Sequence, residues 1–137
     1  MLSKKSQYAF NALSYLAEKY NTGPILISEI SKEKRIPLKF LENILLELKK
    51  AGMLGSKKGK GGGYYLAKPP SQIKVANVIR LVNGPIAMLP CVSLYFYERC
   101  KNCDEKHCGL HDMMIEVRDA TLNILENRTL EDLLKKN

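Results

Sequence analysis

Several kinds of segment are missing from the sequence. No apolar run approaches the length of about 20 residues that a membrane-spanning helix needs, so we expect no transmembrane segment and no membrane partner. The N-terminal lysines are not followed by the apolar stretch of a secretory signal, and no internal repeat is present. These absences indicate a cytoplasmic protein, and its 137 residues fit one domain.

Patterns typical of enzymes are missing as well. The GKGGG run at 59–63 lacks the residue order of a phosphate-binding P-loop and the helix that follows one. A thiol oxidoreductase using Cys100 and Cys103 is the enzymatic alternative, but no thioredoxin-like βαβ pattern surrounds that pair. We therefore expect a protein that is not an enzyme.

Acidic residues are few relative to basic ones, 14 against 22, which gives a formal net charge of +8. A small basic protein usually has an anionic partner, most often nucleic acid, although a protein can also simply be basic. Hydrophobic residues make up 45% of the chain, enough for a core and too many for a disordered protein. The composition therefore favours a folded protein that binds nucleic acid.

Hydrophobic periodicity and chain breakers predict a mainly α fold. The predicted elements are a helix at 6–20, a small strand at 25–27, a short helix capped by Ser28, a helix at 38–51, strands at 53–56 and 64–67, a helix at 75–82, a long helix at 110–126 and a terminal helix capped by Thr129. This is the order of a winged helix-turn-helix with a small β-hairpin wing. We expect a DNA-binding domain at 1–84, a cysteine-rich sensor loop at 85–109, and a dimerisation helix with a C-terminal helix at 110–137.

The second helix of such a pair, here 38–51, enters the major groove with its N-terminal residues near base edges. Lys39, Glu42 and Asn43 lie on its polar face. Lysine suits guanine, asparagine suits adenine, and glutamate can accept a hydrogen bond from cytosine N4. These residues are the predicted readers of double-stranded DNA, and the alternative is that they are ordinary solvated surface positions.

The tip of the predicted wing is rich in lysine and glycine. Lysines there would contact phosphates and release counterions, and glycines would let the backbone approach a sugar-phosphate strand. The predicted contacts are Lys57, Lys58, Gly59, Lys60, Gly61 and Gly62. A flexible hairpin tip with solubilising charge is the alternative. Tyr64 and Tyr65, which follow, are expected to pack within the wing rather than stack on bases.

The long C-terminal helix carries two apolar stripes. One comprises Leu110, Met114, Val117, Thr121 and Ile124, and the other comprises Ile115, Leu122 and Leu125. Two stripes need two surfaces to bury them, which a small domain seldom supplies. We expect one stripe to pack on its own domain and the other on a second copy of the chain, as a homodimer.

All four cysteines lie close together, as Cys91-x8-Cys100-x2-Cys103-x4-Cys108, and His111 follows. A disulfide framework is not expected in a reducing cytosol, so the clustering indicates a metal or redox chemistry. Three uses stay open. They are an iron–sulfur cluster, a structural zinc ion on Cys100, Cys103, Cys108 and His111, and a thiol switch between Cys100 and Cys103.

The stretches YAFNAL, ISEISKEKRIPLKFLENILLELKKAGML and GKGGGYYLAKP resemble the Rrf-type family of bacterial winged-helix transcription regulators. The resemblance covers nearly the whole chain. Its most specific parts are the GGGY wing, the helix after it, and a cysteine loop leading into a long helix. It implies a repressor-type homodimer, built on the C-terminal helix, that binds a two-fold-symmetric operator.

The same resemblance implies a [2Fe-2S] cluster in the cysteine loop, or alternatively a [4Fe-4S] cluster, whose state alters DNA binding. By position, Cys91 matches the first ligand, Cys108 the third, and His111 the histidine ligand of the IscR type. The second ligand is open between Cys100 and Cys103, because members generally have one cysteine there. Members of the CymR type lack a cluster and sense through a protein partner, so a cluster-free sensor is an alternative, as is zinc.

Overall fold

Six α-helices and one antiparallel β-hairpin follow one another in the computed structural model, which describes residues 2–102 and 104–134. The helices are α1 (Lys4–Glu18), α2 (Ile27–Lys34), α3 (Leu38–Lys50), α4 (Val75–Val82), α5 (Gly109–Leu125) and α6 (Leu130–Leu133). The hairpin, between α3 and α4, consists of β1 (Leu54–Lys57) and β2 (Gly63–Leu66). Across this described part of the chain, no helix is both long and apolar enough to cross a membrane. The predicted mainly α fold with a hairpin wing is confirmed.

The first three helices supply most of the core. Their fully buried side chains include Ala9, Ala12, Leu13, Ile30, Leu41, Leu45 and Leu48. Between α2 and α3 the chain turns sharply, since Arg35 takes a left-handed conformation with φ +53° and Pro37 precedes the first residue of α3. Proline at this place keeps Ile36 out of the helical region, so the two helices are separated by a tight turn.

The start of α2 differs from the prediction. The helix begins at Ile27, and Leu26 occupies the N-cap position without any side-chain cap hydrogen bond. Ser28 therefore lies inside the helix, and its predicted capping role is wrong. Because Ile27 is already helical, only Ile25 of the strand predicted at 25–27 pairs with the hairpin, through two hydrogen bonds of 2.8 Å with Tyr64.

A tyrosine joins α1 to α2. The Tyr15 hydroxyl donates to Glu29 Oε2 at 2.6 Å, and the side chain is 9% exposed. The ammonium groups of Lys19 and Lys34 lie 5.2 and 5.8 Å from the centre of its ring. The hydrogen bond to Glu29, burial and nearby acidic charges raise the pKa of Tyr15 to about 12. This contact fixes the short helix α2 against α1.

The hairpin is held in register from Leu54 opposite Leu66 to Lys57 opposite Gly63. Tyr65 lies across Gly55, where an added Cβ would come within 2.5 Å of the tyrosine ring. The Tyr65 ring thus lies against β1, in the space that Gly55 leaves, while 41% of the side chain is exposed, and the prediction that it does not stack on bases stays a prediction.

After α5 the chain returns to the segment that precedes α4. Lys74 and Thr129 form an antiparallel bridge, and the Leu130 N–H donates to Ile73 O at 3.0 Å. Leu130 is completely buried, and Thr129 caps α6 as predicted. The predicted domain boundaries at 84 and 109 stay predictions. Thr129 and Leu130, near the end of the described chain, nevertheless pack against the winged domain.

Helix α5 has no buried residue along its entire length. One face is half-buried against its own domain, and the other exposes apolar side chains at heptad spacing. We call this exposed row the α5 seam; it comprises Leu110, Met113, Val117, Ala120 and Ile124. The prediction of two apolar faces is confirmed, but Met114 and Thr121 are half-buried and do not belong to the exposed one.

Candidate nucleic-acid interface and metal centre

The outward face of α3 carries the three residues predicted to read bases. Lys39, Glu42 and Asn43 are all exposed, whereas the opposite face of the helix is buried in the core. Lys39 stands in the first turn, the part of a recognition helix that reaches base edges. The helix thus presents an ammonium, a carboxylate and an amide to solvent on one side, and base contact by these groups stays a prediction.

Three apolar side chains on α3 are exposed, namely Leu38 (45%), Phe40 (50%) and Leu46 (44%), and none of them was predicted to be. The Phe40 ring meets the Tyr8 ring edge-on, with centroids 6.0 Å apart, and Lys4 Nζ lies 5.3 Å from the Tyr8 centroid. The exposure of Leu46 could have been predicted, because helical spacing places this apolar residue on the polar face of α3. The contact of Phe40 with α1 is visible only in the structure.

The wing tip presents its lysines to solvent. Lys57, Lys58 and Lys60 are exposed. Gly59 and Gly61 have φ values of +89° and +75°, a conformation that residues with a Cβ rarely adopt. The glycines therefore allow the tight reversal that brings the three lysines to the end of the hairpin.

Gly62 differs from the other predicted contacts at the wing tip because it is not exposed to solvent. It is buried, and its N–H donates to the Gly59 carbonyl at 3.0 Å. An added Cβ would lie 2.2 Å from the Lys57 carbonyl oxygen, so a side chain cannot be accommodated without deforming the turn. The absence of a side chain at Gly62 is thus explained by the turn itself, and its DNA contact stays a prediction.

Three of the predicted thiol ligands surround one cavity at the start of α5. Cys91 lies in a short 3-10 turn at Pro90–Val92, Cys100 lies in the loop that follows, and Cys108 is the N-cap of α5. Together they line a cavity of about 380 Å³. Cys103, the other predicted ligand, lies outside the described residues.

His111, in the first turn of α5, completes the predicted group. Its Nδ1 is 3.4 Å from Cys91 Sγ, and its backbone N–H donates to Cys108 Sγ, also at 3.4 Å. Burial, followed by the charge of Glu105, raises the pKa of the Cys91 thiol. Binding of a metal to this thiol releases its proton.

A carboxylate that sequence reasoning missed lies beside these ligands. An oxygen of Glu105, the Cys91 sulfur and a ring nitrogen of His111 all lie within 4.8 Å of one another. The Tyr97 hydroxyl donates to Glu105 Oε1 at 2.5 Å, and this hydrogen bond raises the pKa of Tyr97. Asp104, the preceding residue, is also acidic, so the sequence offered no reason to choose Glu105 as a candidate ligand.

The donor set fits an iron–sulfur cluster. Thiolates and imidazole are ligands that such clusters accept, and zinc accepts the same atoms. Cys91, Cys100 and Cys108 line one cavity, the His111 ring nitrogen Nδ1 lies 3.4 Å from Cys91 Sγ, and the His111 backbone N–H donates to Cys108 Sγ. The loop therefore offers up to four sulfur or nitrogen ligands without its undescribed cysteine.

Two arginines connect this loop to the helices around it. Arg118 of α5 donates to the Val92 carbonyl at 2.9 Å, directly beside Cys91. The Arg80 guanidinium of α4 lies 4.5 Å from the centre of the Tyr95 ring and forms an ion pair with Glu126 after α5. Both arginine side chains are only 16% exposed. The cysteine loop is thus attached both to the winged domain and to the long helix.

Known proteins resemble the chain over nearly its full length. A family model described as "Rrf2: Iron-dependent Transcriptional regulator" matches residues 2–136. An rrf2-like HTH-type transcriptional regulator of Rhodobacter capsulatus is 38% identical over 98% of this chain and 92% of its own length. IscR of Pectobacterium carotovorum is 32% identical over 97% of this chain and 78% of its own.

A solved structure gives the same result for the fold. CymR, the global cysteine regulator of Bacillus subtilis, matches with a TM-score of 0.80 at 28% identity, over 97% of this chain and 95% of its own. The relatives are named as regulators of transcription rather than as enzymes.

Proposed function

Because the chain belongs to the Rrf2 family of transcriptional regulators, we propose that it is a homodimeric repressor whose affinity for DNA depends on an iron–sulfur cluster in its cysteine loop. Family membership itself makes it a DNA-binding helix-turn-helix regulator. The observation that carries the finer proposal is the meeting of Cys91, Cys100 and Cys108 in one cavity, with His111 beside them.

A [2Fe-2S] cluster is the favoured form, because imidazole ligation is well known for such centres, and a [4Fe-4S] cluster is the alternative. Cys91, Cys108 and His111 would be ligands, with Cys100 or Cys103 as the fourth. When bound, the cluster supplies a redox-sensitive covalent link among these side chains.

The DNA contacts would come from α3 and the wing. Lys39, Glu42 and Asn43 would face base edges in the major groove, and their exposure supports this role. Phosphate contacts would come from the wing lysines Lys57, Lys58 and Lys60, with the backbone of Gly59, Gly61 and Gly62 near the same strand. Two copies joined along the α5 seam would present two such surfaces to a two-fold-symmetric operator.

The sensing step would act through α5, whose N-cap and first turn supply two of the ligands. Cys108 caps this helix and His111 lies in its first turn, while Arg118 of the same helix holds the turn that contains Cys91. Ligand release would free the Cys91 turn from the start of α5. The α5 helices of the dimer could then change their packing and, with it, the spacing of the two α3 helices, which is a shift between two DNA-binding geometries.

A cluster-free sensor is the second candidate function, since the chain is similar in fold to CymR and the sequence resemblance gives the CymR type as cluster-free. In that case zinc on Cys100, Cys103, Cys108 and His111, or thiol chemistry with a protein partner, would replace the cluster. The DNA-binding surface would be the same.

Anaerobic purification separates these candidates. The proposal predicts brown protein with visible absorption, and with iron and sulfide in near-equal amounts and little zinc. Colourless protein with stoichiometric zinc, or protein that takes up no iron and sulfide on anaerobic reconstitution, would reject the cluster and leave the cluster-free sensor.

A further inference from the structure

We propose that Cys91, Glu105 and His111 form a mixed-ligand site for one divalent transition-metal ion, which the chain can use when no cluster is bound. The inference shares two residues with the proposed function, in which Cys91 and His111 are cluster ligands, and rests on it in no other way. Glu105 distinguishes this site from one made of cysteines and histidine alone.

The distances suit a single ion. Two ligands on one tetrahedral zinc ion lie about 3.3–3.8 Å apart, given metal–ligand bonds of about 2.0–2.3 Å. Cys91 Sγ and His111 Nδ1 are already 3.4 Å apart. A carboxylate oxygen of Glu105 lies within 4.8 Å of the Cys91 sulfur and of a His111 ring nitrogen, so side-chain movements on the order of 1 Å would bring the three ligands to one ion.

The three ligands have complementary chemistry. A thiolate, a carboxylate and an imidazole together suit ions of intermediate softness such as Zn²⁺, Co²⁺ and Fe²⁺. Their two negative charges balance a divalent ion. With three protein ligands, the fourth tetrahedral position is left for water.

Tyr97 prepares the carboxylate for this role. Its hydroxyl donates to Glu105 Oε1, which orients the carboxylate group, while the carboxylate keeps further lone pairs for an ion. Such outer hydrogen bonds commonly orient metal ligands and raise metal affinity. Tyr97 is 53% exposed, so its hydroxyl can be removed without disturbing the core. Cys91 is nearly buried whereas Glu105 and His111 are half-buried, which makes the site both partly shielded and reachable.

The test uses the full chain, freed of cluster and metal under anaerobic conditions, and titrated with Co²⁺ alone. We expect one Co²⁺ per chain, with a thiolate-to-cobalt charge-transfer band and the visible bands of a tetrahedral ion. Glu105→Gln should weaken Co²⁺ binding on the order of 100-fold, and Tyr97→Phe on the order of 10-fold. Glu116→Gln, the same change at an exposed position of α5, should leave binding unchanged.

Two further measurements keep the outcome clear. Circular dichroism and thermal unfolding should show that Glu105→Gln is folded like the unchanged chain, and Zn²⁺ should displace the bound Co²⁺. The inference is overturned if the unchanged chain binds no Co²⁺, or if Glu105→Gln binds it as tightly as Glu116→Gln does. Anaerobic reconstitution reports separately on the cluster, so a chain that binds Co²⁺ as expected but takes up no cluster would sink the proposed function and retain this site.

Discussion

At the scale of single residues, Tyr15 gives the structure a measurable pH dependence. Its pKa rises from 10.0 to about 12 on folding, so between these pH values the folded chain keeps a proton that the unfolded chain loses. The free energy of unfolding should therefore include a contribution that is fully present below pH 10 and lost as the pH rises toward 12. Tyr15→Phe should flatten this part of the profile, as measured by denaturant unfolding at a series of pH values.

A matched control is Tyr95→Phe, which removes the hydroxyl of a side chain that is 69% exposed. This variant should keep the alkaline slope of the unchanged chain. Equal slopes for Tyr15→Phe and the unchanged chain would show that the bond to Glu29 does not act as described.

Residue types decided how much of the candidate site the sequence could predict. Cysteine and histidine are rare enough for their clustering to be informative, so Cys91, Cys108 and His111 were identified and the structure brings them together. Glu105 is one of 14 acidic residues and joins the group only because the loop folds back over the start of α5. Such a contact between distant positions leaves no trace in composition or spacing.

At the scale of elements, the wing should control how strongly DNA binding depends on salt. If a dimer neutralises about 8 phosphates, the logarithm of affinity should fall with the logarithm of salt concentration with a slope of about −7. Each wing lysine occurs twice in a dimer, so Lys58→Ala should reduce the magnitude of that slope by about 2. Fluorescence anisotropy with a labelled duplex at several salt concentrations measures it.

Lys106→Ala is the matched control, because Lys106 is an exposed lysine of the loop before α5. It removes the same charge and should leave the slope unchanged. If Lys58→Ala and Lys106→Ala lower the slope equally, the wing has no special contact with phosphate, and only the net charge matters.

The α5 seam makes a second prediction at this scale. Val117 and Ile124 are 38% and 55% exposed and lie on the same face as Leu110. Changing both Val117 and Ile124 to Glu would place like charges opposite each other in a dimer built on this face, and should give a monomer in sedimentation experiments. Asn123→Glu, an exposed polar neighbour outside the seam, should remain dimeric. A dimer that survives the double change would move the interface elsewhere.

Elements with strong patterns were predicted closely, and weakly marked ones were not. Helix α3 follows from apolar residues at helical spacing with Pro37 before it and Gly52 after it, and the wing follows from its glycines. The start of α2 has no such mark, since Leu26 caps it without a side-chain hydrogen bond. The residues of the α5 seam could not all be predicted either, because the rotation of α5 about its own axis decides which side chains are exposed. Packing against the rest of the chain sets that rotation.

At the scale of the whole molecule, the cysteine loop lies between the element that would form the dimer and the domain that would bind DNA. Arg118 connects the Cys91 turn to α5, and Arg80 connects Tyr95 to α4. Arg80 also pairs with Glu126, where α5 ends. The loop is therefore in contact with both α4 and α5, through two arginine side chains that are each 16% exposed.

The affinity of one protein preparation for one operator, measured with and without its cluster, tests the account most directly. The operator would be selected from random-sequence duplexes, and iron and sulfide would be counted in both samples. We predict a change in affinity of at least about 10-fold between the two states, within the usual range of coupling between two sites. Equal affinities, in samples whose iron and sulfide contents differ as intended, would contradict the coupling of the loop to DNA binding.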